Sequence, residues 1–120
     1  MQFIKHENTA TFENSPGCTA TEYDFKNEND LNIAGITLDG RYPDNGYALN
    51  TVSKELMYVT HGHGTLFTSD KNVTLNQGDA VLIQPHERYY LEGTLELVIS
   101  SSPAWRPEQH QNISNELDNN

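Results

Sequence analysis

Hydrophobic and polar positions alternate over short distances along this chain. Runs rich in β-branched and aromatic residues occur at Thr19 to Phe25, Leu31 to Leu38, Glu55 to Thr60, Thr65 to Thr68, Asn72 to Leu75, Ala80 to Gln84, Tyr89 to Glu92 and Thr94 to Ser100. Each has strand length. Nowhere do apolar residues recur at helical spacing over three turns, and Gly, Pro, Asn and Asp interrupt the chain too often for long helices. The pattern predicts an all-β sandwich or barrel.

Turn chemistry places the breaks. Asn14-Ser15-Pro16-Gly17 separates two short extended stretches, and Lys26 to Asp30 is a second polar break. Ser69-Asp70-Lys71 and Asn76-Gln77-Gly78-Asp79 each predict a hairpin between consecutive antiparallel strands, the second with a glycine free to take positive φ. Val73 and Leu75 share one face. Ala80 to Ile83 is apolar on both faces, which predicts an inner strand.

At 120 residues the chain has the length of one domain. The organisation expected is N-terminal strands and loops over 1–30, a barrel over 31–102, an arm over 103–111 and a polar tail without order over 112–120. Ser102-Pro103-Ala104-Trp105-Arg106-Pro107 reads as a fixed extended arm carrying the one tryptophan.

Seventeen acidic residues against seven basic ones give a formal charge of -10, which would repel nucleic acid and anionic membranes. Neither is an expected partner. Cys18 is the single cysteine, so no intramolecular disulfide forms, which fits a reducing compartment and a cytoplasmic location. No signal peptide or membrane-spanning stretch is expected.

Two segments carry a family resemblance. Glu55-Leu56-Met57-Tyr58-Val59-Thr60-His61-Gly62-His63-Gly64 resembles the Glu and Gly end of the first cupin motif, and Gly78-Asp79-Ala80-Val81-Leu82-Ile83-Gln84-Pro85 the opening of the second. Over roughly Asn32 to Ser102 the chain is similar to small single-domain cupins of the mannose-6-phosphate-isomerase-like kind. The resemblance implies a cupin double-stranded β-helix, a jelly-roll-like antiparallel barrel. It also implies a homodimer paired through sheets and terminal segments, with Trp105 either anchoring the partner or packing on its own barrel.

The metal ligands of that family are largely missing. Ala48-Leu49-Asn50-Thr51 stands where the family carries a His-any-His pair, His86 stands at the family's glycine and Tyr89 at its third histidine. Only Glu55 matches a ligand position. The expected cofactor is therefore none; the alternative is a divalent transition metal held by an unconventional set of Glu55, His61, His63 and His86. His61 and His63, alternate residues of one strand, share a face, which is either a metal face or an outward one.

An inward Glu55 needs donors or a raised pKa. Its candidate catalytic company is His86 and Tyr89, acting as acid and base in an isomerase, epimerase or lyase on a carbohydrate-like substrate. Asn50, Tyr42, Tyr47, Met57 and Arg88 are the candidate ligand-binding residues. Arg88 and Arg41, if they face inward, would suit a carboxylate or phosphate on the ligand. The leading expectation is a metal-independent small-molecule-binding module, with enzyme and metal-dependent cupin as rivals.

Overall fold

The computed structural model describes residues 1–114, and the strand-rich pattern is realised as nine strands among them. They are β1 (Ala10–Ser15), β2 (Cys18–Tyr23), β3 (Asn32–Tyr42), β4 (Tyr47–Asn50), β5 (Lys54–Thr68), β6 (Asn72–Asn76), β7 (Ala80–Ile83), β8 (Tyr89–Ser102) and β9 (His110–Ile113). Antiparallel pairing runs β1-β2-β3-β8-β5. The outer side of β5 is shared by β7, along Glu55 to Tyr58, and β6, along His63 to Phe67. β4 joins the start of β8 through Ala48 and Tyr89 and pairs along its length with β9.

Three long strands, β3, β5 and β8, form the spine. Gly40 pairs with Gly93 and Gly93 with Gly64, so a row of glycines crosses all three. There the backbones crowd together: a Cβ on Gly93 would lie 2.5 Å from Gly64 Cα and 2.6 Å from the His63 carbonyl oxygen, and Gly93 has φ +141°. Glycine is what lets uninterrupted strands bend and approach so closely. Residues that read as breaks between Thr60 and Thr65, and between Glu92 and Thr94, are bends inside continuous strands.

The bend and the curl of the sheet close the barrel. Glu55 pairs with Ser101 near one end of β8, whereas Tyr89 begins that strand. In a flat sheet the two would be on the order of 40 Å apart. Folded over, their side chains touch. Leu38, Met57, Val59, Leu66, Leu91, Leu95 and Leu97 fill the interior between them, each almost wholly excluded from water.

A bulge between Val59 and His61 sets the later facing of β5. Glu55, Met57 and Val59 are buried, and after the extra residue His61 and His63 lie exposed while Leu66 returns to the core. One inserted residue shifts every following side chain to the opposite face.

Three expectations are corrected. The turn at Asn76 to Asp79 forms, with the Asn76 N–H donating to Asp79 Oδ2 at 2.7 Å and Gly78 at φ +91°. The strands it joins, however, flank different halves of β5 and do not form a hairpin with each other. β7 is an edge strand, with Leu82 about half exposed beside Leu56. The expected polar tail begins too early, because Asn112 and Ile113 belong to β9 and pair with Ala48 and Tyr47; residues 115–120 of that tail lie outside the described residues. The hairpin at Ser69 to Lys71 forms as expected.

The arm between β8 and β9 is stapled across one end of the barrel. Asn32 accepts from the Trp105 N–H at 3.1 Å and donates to its carbonyl at 3.3 Å. The buried Gln109 side chain accepts from the Val52 and Ser53 N–H groups at 3.0 and 2.7 Å and donates to Ser53 Oγ at 2.7 Å. Within the chain Trp105 packs on its own barrel, its indole N–H donating to Asn50 Oδ1 at 2.8 Å. Among the described residues no helix is long and apolar enough to cross a membrane.

Gly93→Ala is expected to destabilise the chain by about 2–4 kcal/mol, because strain and backbone overlap act together. Gly40→Ala, where an added Cβ meets nothing within 4 Å and only the φ of +135° resists, should lose about half as much or less. Urea unfolding of the two variants and the parent checks the order.

Candidate functional site

A cavity of about 550 Å³ opens inside the barrel. Its apolar wall comes from the inner faces of β2, β3 and β8, including Ala20, Ala34, Ile36, Leu91 and Ile99. Its polar end gathers Asn50, Glu55, Tyr89, Tyr42 and Ser101. That size suits a small organic molecule held by an apolar wall and a few placed polar groups.

Glu55 is the centre of the polar end. It stays inside because β5 alternates, with Met57 and Val59 on the same buried side. The Tyr89 hydroxyl donates to Glu55 Oε1 at 3.1 Å. Asn50, the last residue of β4, also hydrogen-bonds the carboxylate, and its Oδ1 accepts from Trp105 Nε1–H at 2.8 Å. With the oxygen so engaged, the Asn50 NH₂ is the group that faces Glu55. The arm thereby fixes the orientation of a side chain that touches the carboxylate.

Burial pushes the Glu55 pKa up, and the hydrogen bonds from Tyr89 and Asn50 pull it part of the way back. Burial also drives the Tyr89 phenol well above its ordinary value, with the Glu55 charge adding to the effect. The same two causes raise Tyr42, whose ring lies 6.5 Å from that of Tyr89. Cys18, on the cavity wall, is pushed up to about 11 by burial against the opposing bond to Ser15. It is a thiol at neutral pH and a poor nucleophile.

Of the proposed trio, the structure brings Glu55 and Tyr89 together and leaves His86 outside. His86 has φ +66° and its ring is exposed; its N–H donates to the Asn50 carbonyl at 2.7 Å. A left-handed residue here matches the glycine that the cupin pattern carries at this place, and the backbone turn, not the imidazole, supports the site.

The expected ligand-binding residues divide in the same way. Asn50 and Tyr42 line the cavity. Met57 is fully buried in the core cluster and does not reach it. Tyr47 stands on the far side of β4, edge-on to Tyr90 at 5.3 Å, with the Arg88 guanidinium 5.7 Å from its ring centre. Arg41 lies 4.0 Å over the Tyr90 ring and donates to the Pro43 and Gly46 carbonyls at 3.2 and 2.9 Å. Both arginines belong to this outer aromatic cluster and neither lines the cavity.

The residues do not fit a metal centre of the cupin kind. Among the described residues no three His, Cys, Asp or Glu side chains converge to hold an ion. His61 and His63 are exposed, His61 Nδ1 lying 3.0 Å from Glu96 Oε2 on the outer face. Glu55 is left with a tyrosine and an amide, a poor set for a divalent transition metal.

Sequence reasoning missed Cys18, Glu22, Ser101, Trp105 and His110 as lining residues. A signal existed for Glu22: on β2 it shares its parity with Cys18 and Ala20, both buried. Trp105 and His110 are brought in by the arm, which no periodicity predicts.

Comparison with known proteins agrees with the fold. Residues 32–94 match the AraC-like ligand binding domain family. No curated protein matches the chain in sequence. The Streptomyces nucleoside dehydratase Pac13 is similar in structure, with TM-score 0.84, 18% identity, and coverage of 95% of this chain and 92% of that one. The polyketide cyclase RemF from Streptomyces resistomycificus has TM-score 0.73, 13% identity and coverage of 94% and 85%. An RmlC-like cupin from Shewanella frigidimarina has TM-score 0.71, 21% identity and coverage of 90% and 95%. The fold is that of the cupins, and the chain belongs to the family of AraC-like ligand-binding domains.

Proposed function

We propose that the cavity binds one small polar organic molecule without the help of a metal, gripping a hydroxyl or amide edge with Glu55, Tyr89 and Asn50 while the apolar wall covers its body. The observation that carries this reading is the buried Glu55–Tyr89 pair facing a cavity of ligand size. A carboxylate held beside a phenol offers both an acceptor and a donor to a ligand that replaces or extends their bond. Pac13 acts on a nucleoside and its structures include uridine, so nucleosides and sugars of that size are the first molecules to try.

A second reading rests on the raised pKa of Glu55. A carboxyl whose pKa burial raises, beside a phenol, is equipped for proton transfer in an isomerase, epimerase or lyase. Such an enzyme would work with Glu55 and Tyr89 and without His86. If turnover on a sugar or nucleoside is found, Glu55→Gln should lower kcat by at least about 100-fold; an unchanged rate removes the assignment.

Binding is expected to raise the melting temperature, since a ligand held only by the native state stabilises it. Binding should also change the fluorescence of Trp105, the single tryptophan and part of the cavity wall. Tyr89→Phe should weaken binding by about tenfold, the loss of one buried hydrogen bond. A flat response across nucleosides, sugars, organic acids and amino acids would contradict the proposal.

The pH dependence follows from Glu55. Its folded pKa lies above the ordinary 4.5, so the stability it contributes is fully present below that value and is lost as pH rises through the folded one. Glu55→Gln removes the titration. The variant should be more stable than the parent at pH 7, and the gain should shrink as pH falls toward 4.5, with a slope no steeper than about 1.4 kcal/mol per pH unit. Chemical denaturation at several pH values checks both sign and window.

A further inference from the structure

Glu22, on β2, lines the same cavity as Glu55, on β5. The strands between them run β5-β8-β3-β2, so the two carboxylates stand three strands apart, about 14 Å along the sheet at the usual spacing and less across its curl. Glu22 is partly buried, and among the described residues no hydrogen-bond donor or cation meets its carboxylate. Burial and the neighbouring Asp24 charge both raise its pKa.

The rest of that end has the same sign. Asp24 and Asp44 line the cavity, and Arg106 is its one cation among the described residues. The Arg106 guanidinium is tied to backbone, donating to the Trp105 carbonyl at 3.0 Å and the Glu28 carbonyl at 3.1 Å. Burial lowers the His110 pKa and keeps that ring neutral. Four carboxyl groups thus face one engaged guanidinium, while Arg41 and Arg88 sit on the outer aromatic cluster.

We infer that the cavity selects its ligand by charge, taking a molecule with a hydroxyl- or amide-bearing end at Glu55 and Tyr89 and an ammonium group at Glu22, and rejecting carboxylates and phosphates. This rests on the small-molecule reading above and narrows it to a class. Carboxyl groups lining a concave wall repel an entering anion, most strongly at the buried Glu55 and the partly buried Glu22, and less at Asp24 and Asp44, which are exposed to solvent. A cation supplies the partner that the Glu22 carboxylate lacks. Apolar Ala20, Ala34 and Ile99 between the two ends leave room for an uncharged ring.

The test uses two matched series that differ in one substituent. These are uridine, 5′-amino-5′-deoxyuridine, uridine 5′-carboxylate and uridine 5′-monophosphate, and glucose, 6-amino-6-deoxyglucose, glucuronate and glucose 6-phosphate. Thermal shift and Trp105 fluorescence are read for the parent chain and for Glu22→Gln. In at least one series the amine should bind about tenfold or more tightly than the neutral parent, and the acid and phosphate should bind weakest. Glu22→Gln should remove the preference for the amine, bringing the ratio of amine to neutral affinity within the same series down to about one. An acid or phosphate that binds as tightly as the amine, or an amine preference that survives in Glu22→Gln, overturns the inference and leaves the small-molecule reading standing. No response from any of the eight compounds overturns both.

Discussion

The hydrogen bond from Tyr89 to Glu55 depends on the whole barrel being closed. Its two residues begin neighbouring strands that run in opposite directions, so they sit at opposite ends of the sheet and meet at 3.1 Å only because the sheet folds back on itself. The fold is possible because Gly40, Gly93 and Gly64 stand in one row across β3, β8 and β5. Side chains at Gly64 and Gly93 would hold the strands apart, and at Gly40 it is the positive φ that glycine accommodates. The site is thus a product of the bend: the residues that carry its chemistry are far from the residues that make it possible.

Keeping an acid in the core has a cost that the surroundings offset only in part. Burial raises the Glu55 pKa, and two donors, Tyr89 and Asn50, lower it again. Asn50 is itself turned by Trp105 from the C-terminal arm, which is clamped by Asn32, Ser53 and Gln109. The arm therefore does more than cover the barrel end. It sets the orientation of an amide in contact with the buried carboxylate, so changes in the arm are felt at Glu55.

Much of this was legible in the sequence where local rules decide the outcome. Alternation from Glu55 to Val59 put the glutamate inside, and the turn at Ser69 to Lys71 formed the expected hairpin. Legibility failed where a backbone feature overrides alternation. Positive φ at His86 sent its ring into solvent, away from the acid-base role it suggested, whereas the bulge after Val59 leaves His61 and His63 on the outward face that was one of their two alternatives. Glycines at 62, 64 and 93 read as strand ends because the same residue serves both turns and bends. The short strands β4 and β9 were missed because β4 exists only through pairing with β8 and β9, and β9 only through pairing with β4.

If the account is right, one carboxyl inside the barrel is shielded from water and in contact with whatever the cavity holds. Selective ¹³C labelling of glutamate, with the Glu55 carboxyl resonance assigned from Glu55→Gln, allows its titration to be followed by NMR with and without a bound small molecule. The expected result is a midpoint above 4.5 that moves when the cavity is filled. A midpoint at or below that value, unmoved by a compound that raises the melting temperature, would contradict the account.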